Sequence, residues 1–318
     1  MEKDPMNPVG ICVVGSINVD ILIEVDTFAK PNETVIGKRD FTLAQGGKGA
    51  NQAAAAAAAG ADVHFVARVG SDDWGRDAIA QLEQAGVDCA HVAITPDATT
   101  GLAAIMVDAH GNNMITVASG ANMLLSPADV MRAESVIASS RVLVLQLEVP
   151  VETVEAAIAV ARKHKVTILL NPAPAPRARL ASLAGVDVIV PNEHEAKSLA
   201  ELYGSTPGTD AAAALLGAGV GHVVVTEGAR GCRVVAPGAS SSIPPFKVDA
   251  VDTTGAGDVF CGFLAHALGR GRSVEDAAIE ASAAAAISVT RPHARGQLPR
   301  QDEVAELMRE QPLAGATS

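Results

Sequence analysis

The sequence predicts an α/β fold: a doubly wound, mostly parallel β-sheet flanked by helices, with a second, smaller β-sheet set over it. Three observations predict it. Short runs of β-branched residues alternate with longer Ala-rich stretches. The runs are apolar throughout, as in strands covered on both faces. Two stretches, about residues 17–43 and 99–118, break the rhythm with additional β-signals.

The buried strands are expected at 11–14, 63–66, 142–145, 166–170, 186–190 and 223–226. Helices are expected between them at 49–59, 73–85, 151–164, 193–203 and 210–216, and a further one at 261–268. Such alternation gives parallel strands joined by right-handed crossovers. The Ala tracts read as parts of amphipathic helices. In the second irregular stretch, Gly111-Asn-Asn113 separates the apolar runs 102–107 and 114–117, a hairpin signature. Each irregular stretch is too short for a domain, so both read as one accessory sheet inserted in a single domain over residues 1–318. The Pro-rich segment 172–176 and the segment 205–209 read as loops, because strand–helix alternation resumes after each.

Of the 318 residues, 48% are hydrophobic and 19% charged, enough apolar material for a full core. Against 36 Asp and Glu there are 24 Lys and Arg, a net charge of −12. That surface repels phosphate backbones and anionic lipids, which argues against a nucleic-acid or membrane-binding role. Cys12, Cys89, Cys232 and Cys261 show no Cys-x-x-Cys spacing, so neither a zinc site nor a redox motif is expected, and a reducing cytoplasm fits. The N-terminal residues have no apolar signal-peptide core, and no tract approaches the ~20 residues of a membrane span. No histidine spacing suits a metal, and no Gly-x-Ser-x-Gly occurs.

Five segments could carry chemistry. In Val251-Asp-Thr-Thr-Gly-Ala-Gly-Asp-Val-Phe260, Gly255 and Gly257 allow a tight turn that aims N–H groups outward. With the positive end of the following helix these make an anion site. Asp258 stands at its mouth, where a carboxylate takes the proton of a hydroxyl facing a phosphate. The plainer alternative is a cap by Asp252 or Thr253, with Asp258 complementing the dipole. Gln45-Gly-Gly-Lys-Gly-Ala-Asn51 also precedes a helix but is neither a Walker loop nor a dinucleotide fingerprint. Lys48 opposes the helix dipole there, which points to an anion, a hydroxyl-rich ligand or a solvated surface position. In Gly15-Ser-Ile-Asn-Val-Asp20, Asn18 and Asp20 share one face of an extended chain. A fourth group, Glu148 with Asn192-Glu-His-Glu195, and a fifth, Thr226-Glu-Gly-Ala-Arg-Gly231, each follow strands. All five groups are expected at the carboxyl ends of parallel strands, where doubly wound sheets bind ligands.

Together these motifs resemble, in order and spacing, the ribokinase family of carbohydrate kinases from Ile11 to about Pro299. The form Gly46-Gly-Lys-Gly-Ala-Asn-Gln52 is similar to members acting on ribose rather than on fructose or adenosine. The resemblance implies phosphorylation of D-ribose at its 5-hydroxyl by ATP. Asp258 would be the catalytic base, and Gly255, Ala256 and Gly257 the anion hole. Asn18, Asp20, the backbone of Gly47 and Lys48, Asn51 and Glu148 would hold sugar hydroxyls. Asn192, Thr226, Gly228, Gly231 and Gly257 would line the ATP site, with Ser282 near the adenine. Glu195 would act through water on Mg²⁺.

Asp252 and the Thr254 carbonyl would bind a monovalent cation, K⁺, with further ligands from the segment bearing Ser288, Arg291, His293 and Gln297. Members often carry glycine where His293 stands and serine where Gln297 stands. The small sheet would be a lid and the homodimer contact, through apolar positions Ile21, Ile23, Val25, Ile105, Val107, Ile115 and Val117. Phosphorylation of another furanose, such as deoxyribose or a nucleoside, is the nearest alternative. A non-catalytic sugar or nucleotide sensor is the other, and it would have no use for Asp258.

Overall fold

The computed structural model describes residues 9–176, 178–206, 208–291 and 297–313. β1 (Gly10–Val14) opens the main sheet, and the chain leaves at once into β2 (Asn18–Glu24) of a separate sheet. β3 (Thr42–Gly46) returns beside β2 and leads into α1 (Lys48–Ala58). β4 (Asp62–Gly70), α2 (Asp73–Gln84) and β5 (Val87–Thr95) follow, then the hairpin β6 (Gly101–Val107) and β7 (Asn113–Ala118). Short helices α3 (Pro127–Arg132) and α4 (Glu134–Ser139) precede β8 (Val142–Leu145), α5 (Val151–His164) and β9 (Thr167–Leu170). β10 (Val188–Ile189), α6 (Glu193–Leu202), α7 (Ala211–Gly217) and β11 (His222–Thr226) continue the sheet, and the hairpin β12 (Cys232–Ala236) and β13 (Ala239–Ile243) ends it. α8 (Ala256–Gly269), α9 (Val274–Ser288) and α10 (Gln301–Glu310) come last.

The main sheet has the order β13-β12-β11-β10-β9-β8-β1-β4-β5, parallel from β11 to β5. From β1 the chain runs outward through β4 to β5, then returns to β8 on the other side and runs outward again. The reversal between β1 and β8 is where such sheets open a crevice at their carboxyl ends. The strands are apolar throughout because both faces are covered. Ile11 and Val13 pack with α1, α2, α8 and α9, whereas Cys12 and Val14 pack with the helices from α3 to α7. Burial pushes the Cys12 thiol up to about 12, so it is an inert core group.

Two features depart from the expectation. β5 at one edge and the antiparallel hairpin β12–β13 at the other were not foreseen. Their sequences are mixed because edges are half exposed; β13 reads Ala-Ser-Ser-Ser-Ile. Helix α1 is not amphipathic: Gly49 to Ala56 are all buried, because the helix lies between the sheet and α8.

The two irregular stretches form one four-stranded sheet, β3-β2-β6-β7, joined by parallel pairing of β2 with β6. Its register divides the expected apolar surface. Leu22, Ile105 and Ile115 are cross-strand partners, so Ile105, Val107, Ile115 and Val117 share one face and Ile21 and Ile23 lie on the other. Val25, just past β2, is buried. Among the described residues no helix is long and apolar enough to cross a membrane.

Candidate active site

Close helix packing builds the centre of the site. A Cβ at Gly262 of α8 would lie 2.6 Å from the Ala55 Cβ and 2.7 Å from the Ala56 nitrogen, so only small residues let α8 and α1 approach this far. One turn nearer the N-termini, the same approach brings Asn51 and Gln52 to Asp258. Asn51 Nδ2 donates to Asp258 Oδ2 at 3.0 Å, and Gln52 Nε2 donates to Oδ1 at 2.9 Å. Asp258 is 6% exposed and sits in the first turn of α8, whose N-cap Gly255 has φ 76°. That left-handed conformation suits glycine. Above Gly257 a Cβ would meet nothing within 4 Å, so the helix N-terminus faces open space.

The second glycine cluster is a matter of close approach. At Gly49 a Cβ would lie 2.5 Å from the Ser16 nitrogen, which brings α1 against the exit of β1. Gly47, the α1 N-cap with φ 87°, would press on the Asn18 nitrogen at 2.6 Å. Gly46 leaves room for the Asp20 carboxylate, which a Cβ would meet at 2.1 Å. Asn18 and Asp20 share a face as expected, but on β2 of the small sheet rather than on the main sheet's edge. Asn18 Oδ1 accepts from Asn122 Nδ2 at 2.8 Å, which leaves the Asn18 amide N–H groups to face a ligand. Asn122 also holds both backbone groups of Ile17.

Charge converges on Lys48. Its backbone N–H donates to Glu148 Oε2 at 3.0 Å, and Glu148 also accepts from the Ser16 hydroxyl. The Asp258 charge holds the Lys48 ammonium above its ordinary value, against burial, with Glu148 and Glu195 adding to it. Lys48 is therefore balanced by the protein's own carboxylates and is not a solvated surface residue. Burial pushes the Glu195 carboxyl above its ordinary value, opposed by the Asn192 N–H and Lys48 and reinforced by Asp258. Glu195 and Asn192 also cap α6 reciprocally, at 2.9 and 2.8 Å.

Two cavities flank this centre. One, of about 720 Å³, is lined by Thr226, Gly228, Gly231, Phe246, Gly257 and Ser282. The other, of about 380 Å³, lies under the small-sheet face bearing Asp20 and Ile105, with Trp74, Asp252 and Thr254 on its opposite wall.

The profile of the pfkB family of carbohydrate kinases matches residues 10–301. The chain belongs to the pfkB family of carbohydrate kinases. A ribokinase of Haemophilus influenzae is 41% identical over 300 residues, 94% of this chain and 98% of that protein. A deoxyribokinase of Salmonella typhi is 39% identical over 283 residues, 88% of this chain and 92% of that protein. The structure of Arabidopsis thaliana ribokinase complexed with ribose and ATP is similar at TM-score 0.85 and 29% identity, covering 95% of this chain and 99% of that one. As a pfkB-family member the chain is an enzyme, a phosphotransferase with an alcohol group as acceptor.

The pfkB-family chain brings together Asp258, Asn51, Lys48, Glu148 and Glu195, with Gly255, Ala256 and Gly257 at the head of α8. Thr226, Gly228, Gly231 and Ser282 line the larger cavity; Asn192 does not, but stands beside Thr226 through a parallel bridge. Two of the five segments are not at carboxyl ends of parallel strands. The loop before α1 follows β3 of the small sheet, and the segment before α8 follows an antiparallel hairpin. Helix N-termini, not strand ends, bring them to the site.

In the expected cation segment, the Ser288 hydroxyl donates to the Ala285 carbonyl, and Arg291 bonds Glu303 and the Gln297 carbonyl. The Ser288 oxygen keeps its lone pairs while donating, Arg291 could offer only its carbonyl, and His293 lies outside the described residues. The loop before α8 is tied to that segment by the Val251 and Asp252 N–H groups donating to the Val289 carbonyl. The donors offered by Asp252 and Thr254 are oxygens, which suits a hard cation. No three His, Cys, Asp or Glu side chains gather as a metal site among the described residues, and the Glu195 oxygen not taken by the Asn192 N–H suits a hard divalent ion reached through water. Sequence reasoning missed Ser16, Gln52 and Asn122. Gln52 stood inside a recognised motif, whereas Asn122, after the hairpin, carries no local signal.

Proposed function

We propose that this chain transfers the γ-phosphoryl group of ATP to the 5-hydroxyl of D-ribose. One observation carries the reading: Asp258, fixed at both oxygens by Asn51 and Gln52, directly follows Gly257 in the wall of the larger cavity, and its charge acts on Lys48, whose N–H bonds Glu148. The likeness to ribokinases, one of them seen with ribose and ATP, supports the substrates. ATP lies in the larger cavity, with Ser282 at its adenine end and residues 255–257 at its γ-phosphoryl group. Asn18, Asp20, Asn51 and Glu148 bind sugar hydroxyls. Asp258 takes the 5-hydroxyl proton as that oxygen attacks phosphorus, a general-base contribution of typically ~10²–10⁴-fold. The remainder of the barrier falls by positioning and by the α8 N–H groups facing the charge on the phosphoryl oxygens.

Mg²⁺, held through water by Glu195 and by the phosphates, would neutralise phosphate charge. K⁺ at Asp252 and the Thr254 carbonyl would stiffen the loop before α8; equal activity in K⁺ and Na⁺ would remove this assignment. The small sheet acts as a lid on a single catalytic domain and pairs two copies through Ile105, Ile115 and Val117. Four buried free cysteines suit a reducing compartment such as the cytoplasm. The deoxyribokinase relative favours 2-deoxyribose as the second reading, with Asp20 deciding between the sugars. A coupled ADP-release assay over pentoses, hexoses and nucleosides tests the substrate. Ribose should give the highest kcat/KM; a higher value for any other acceptor would overturn the assignment.

A further inference from the structure

Gln52 holds one oxygen of Asp258, and it is itself held by amides on two other elements. It is fully buried, 0% exposed. Its amide nitrogen donates to Asp258 Oδ1 at 2.9 Å and to Asn171 Oδ1 at 3.1 Å. Its carbonyl accepts from Gln146 Nε2 at 2.7 Å. Asn171 Nδ2 in turn donates to the Val190 carbonyl at 2.7 Å. Gln146 follows β8, Asn171 follows β9, Gln52 lies on α1 and Asp258 on α8, so four elements meet in one buried chain of amides.

The direction of this chain is forced. A carboxylate accepts and does not donate, so Gln52 must turn its nitrogen to Asp258. Its carbonyl then faces Gln146, which must present its own nitrogen. Reversing any one amide sets two acceptors face to face in a buried place, which costs a full desolvation penalty. Asp258 Oδ1 is therefore held in one position by a network with a single hydrogen-bonding arrangement, while Asn51 holds Oδ2.

We propose that Gln52, locked by Gln146 and Asn171, is a positioning residue for phosphoryl transfer. It sets the orientation in which the Asp258 carboxylate meets the acceptor hydroxyl. The proposal rests on the reading of Asp258 as the base. Gln52 is fully buried and offers no surface to sugar or nucleotide, so its loss acts on turnover and leaves binding in place.

The test compares Gln52→Met, which keeps length and volume but removes the donors, with Gln146→Met, which unlocks Gln52 from behind. For each, kcat is measured at saturating ribose and ATP, and ribose and ATP binding by calorimetry. Gln52→Met should lower kcat at least tenfold with both dissociation constants within threefold. Gln146→Met should lower kcat by a smaller amount with binding equally kept, and it carries the test if Gln52→Met does not fold. A wild-type kcat, or a fall in kcat matched by an equal loss of binding, would overturn the proposal. Asp258→Asn, run alongside, separates the two readings: full activity there removes the base, whereas an inactive Asp258→Asn beside unaffected Gln52 and Gln146 variants removes only the relay.

Discussion

Asn122 is 1% exposed and closes three hydrogen bonds around the start of the small sheet. Its Oδ1 accepts from the Ile17 N–H at 2.9 Å, and its Nδ2 donates to the Ile17 carbonyl at 3.0 Å and to Asn18 Oδ1 at 2.8 Å. In Asn122→Ala those three groups lose their partner while still buried. At ~1–3 kcal/mol for each unsatisfied group, with water regaining part of it in the gap, the variant should lose about 2–5 kcal/mol. That is a large share of the ~5–15 kcal/mol typical of a folded protein. Asn122→Asp reads out the site at some further cost in stability. The new carboxylate still accepts from the Ile17 N–H but faces the Ile17 carbonyl and the Asn18 Oδ1. The Asn18 amide should then turn over, donating to the carboxylate and presenting its oxygen to the sugar. Ribose KM should rise about tenfold, some 1.4 kcal/mol, with kcat little changed. Urea unfolding reads the first effect and steady-state kinetics the second. Unaltered stability in the alanine variant, or unaltered ribose KM in the aspartate variant, would refute the reasoning.

Gly46→Ala would set a Cβ against the Asp20 carboxylate, which can swing aside, so its effect should be a rise in ribose KM with little change in stability. Gly49→Ala meets the backbone of Gly15 and Ser16 and should cost ~3 kcal/mol in urea unfolding; the reverse pattern for the pair would count against the placement of Asp20. Burial pushes the Asp129 carboxyl up, but hydrogen bonds from Arg68 and Ser126 outweigh it and hold the carboxyl below its ordinary value. A lowered folded value adds stability above pH ~4 that disappears as pH falls, so Asp129→Asn should flatten the acid arm of unfolding free energy against pH. Parallel curves for the two proteins would disprove that contribution. Light scattering should give a dimer mass for the wild type and a monomer mass for Ile115→Asp, since Ile115 is 52% exposed on the face shared with Ile105; a monomeric wild type would end the dimer assignment.

The parallel core of the fold was legible because a strand buried on both faces has no polar positions. β1 and β8 could be read directly from runs such as Val142 to Leu145. The edges were not legible. β5 carries Asp88 and His91, and β13 three serines, and both are strands only because a neighbour supplies the ladder. The apolar face of the small sheet was misjudged because a residue's face depends on register, which is set by pairing across the sheet. At the site, glycine patterns and charged motifs exposed Lys48, Asp258 and their loops. What holds them did not show, because Asn122, Asn171 and Gln146 act across more than ninety residues of sequence. A lone buried amide has no local pattern to betray it.

The central claim is that Asp258 is the base of a sugar kinase rather than a cap on α8. Asp258→Asn keeps size and removes the proton acceptor, and its new amide nitrogen can face Asn51, which turns its unpartnered Oδ1 to accept. Turnover with ribose and ATP, followed by ADP release, should fall at least ~10²-fold, with ribose affinity by calorimetry within threefold of the wild type. Turnover close to the wild-type rate, with that same affinity, would contradict it.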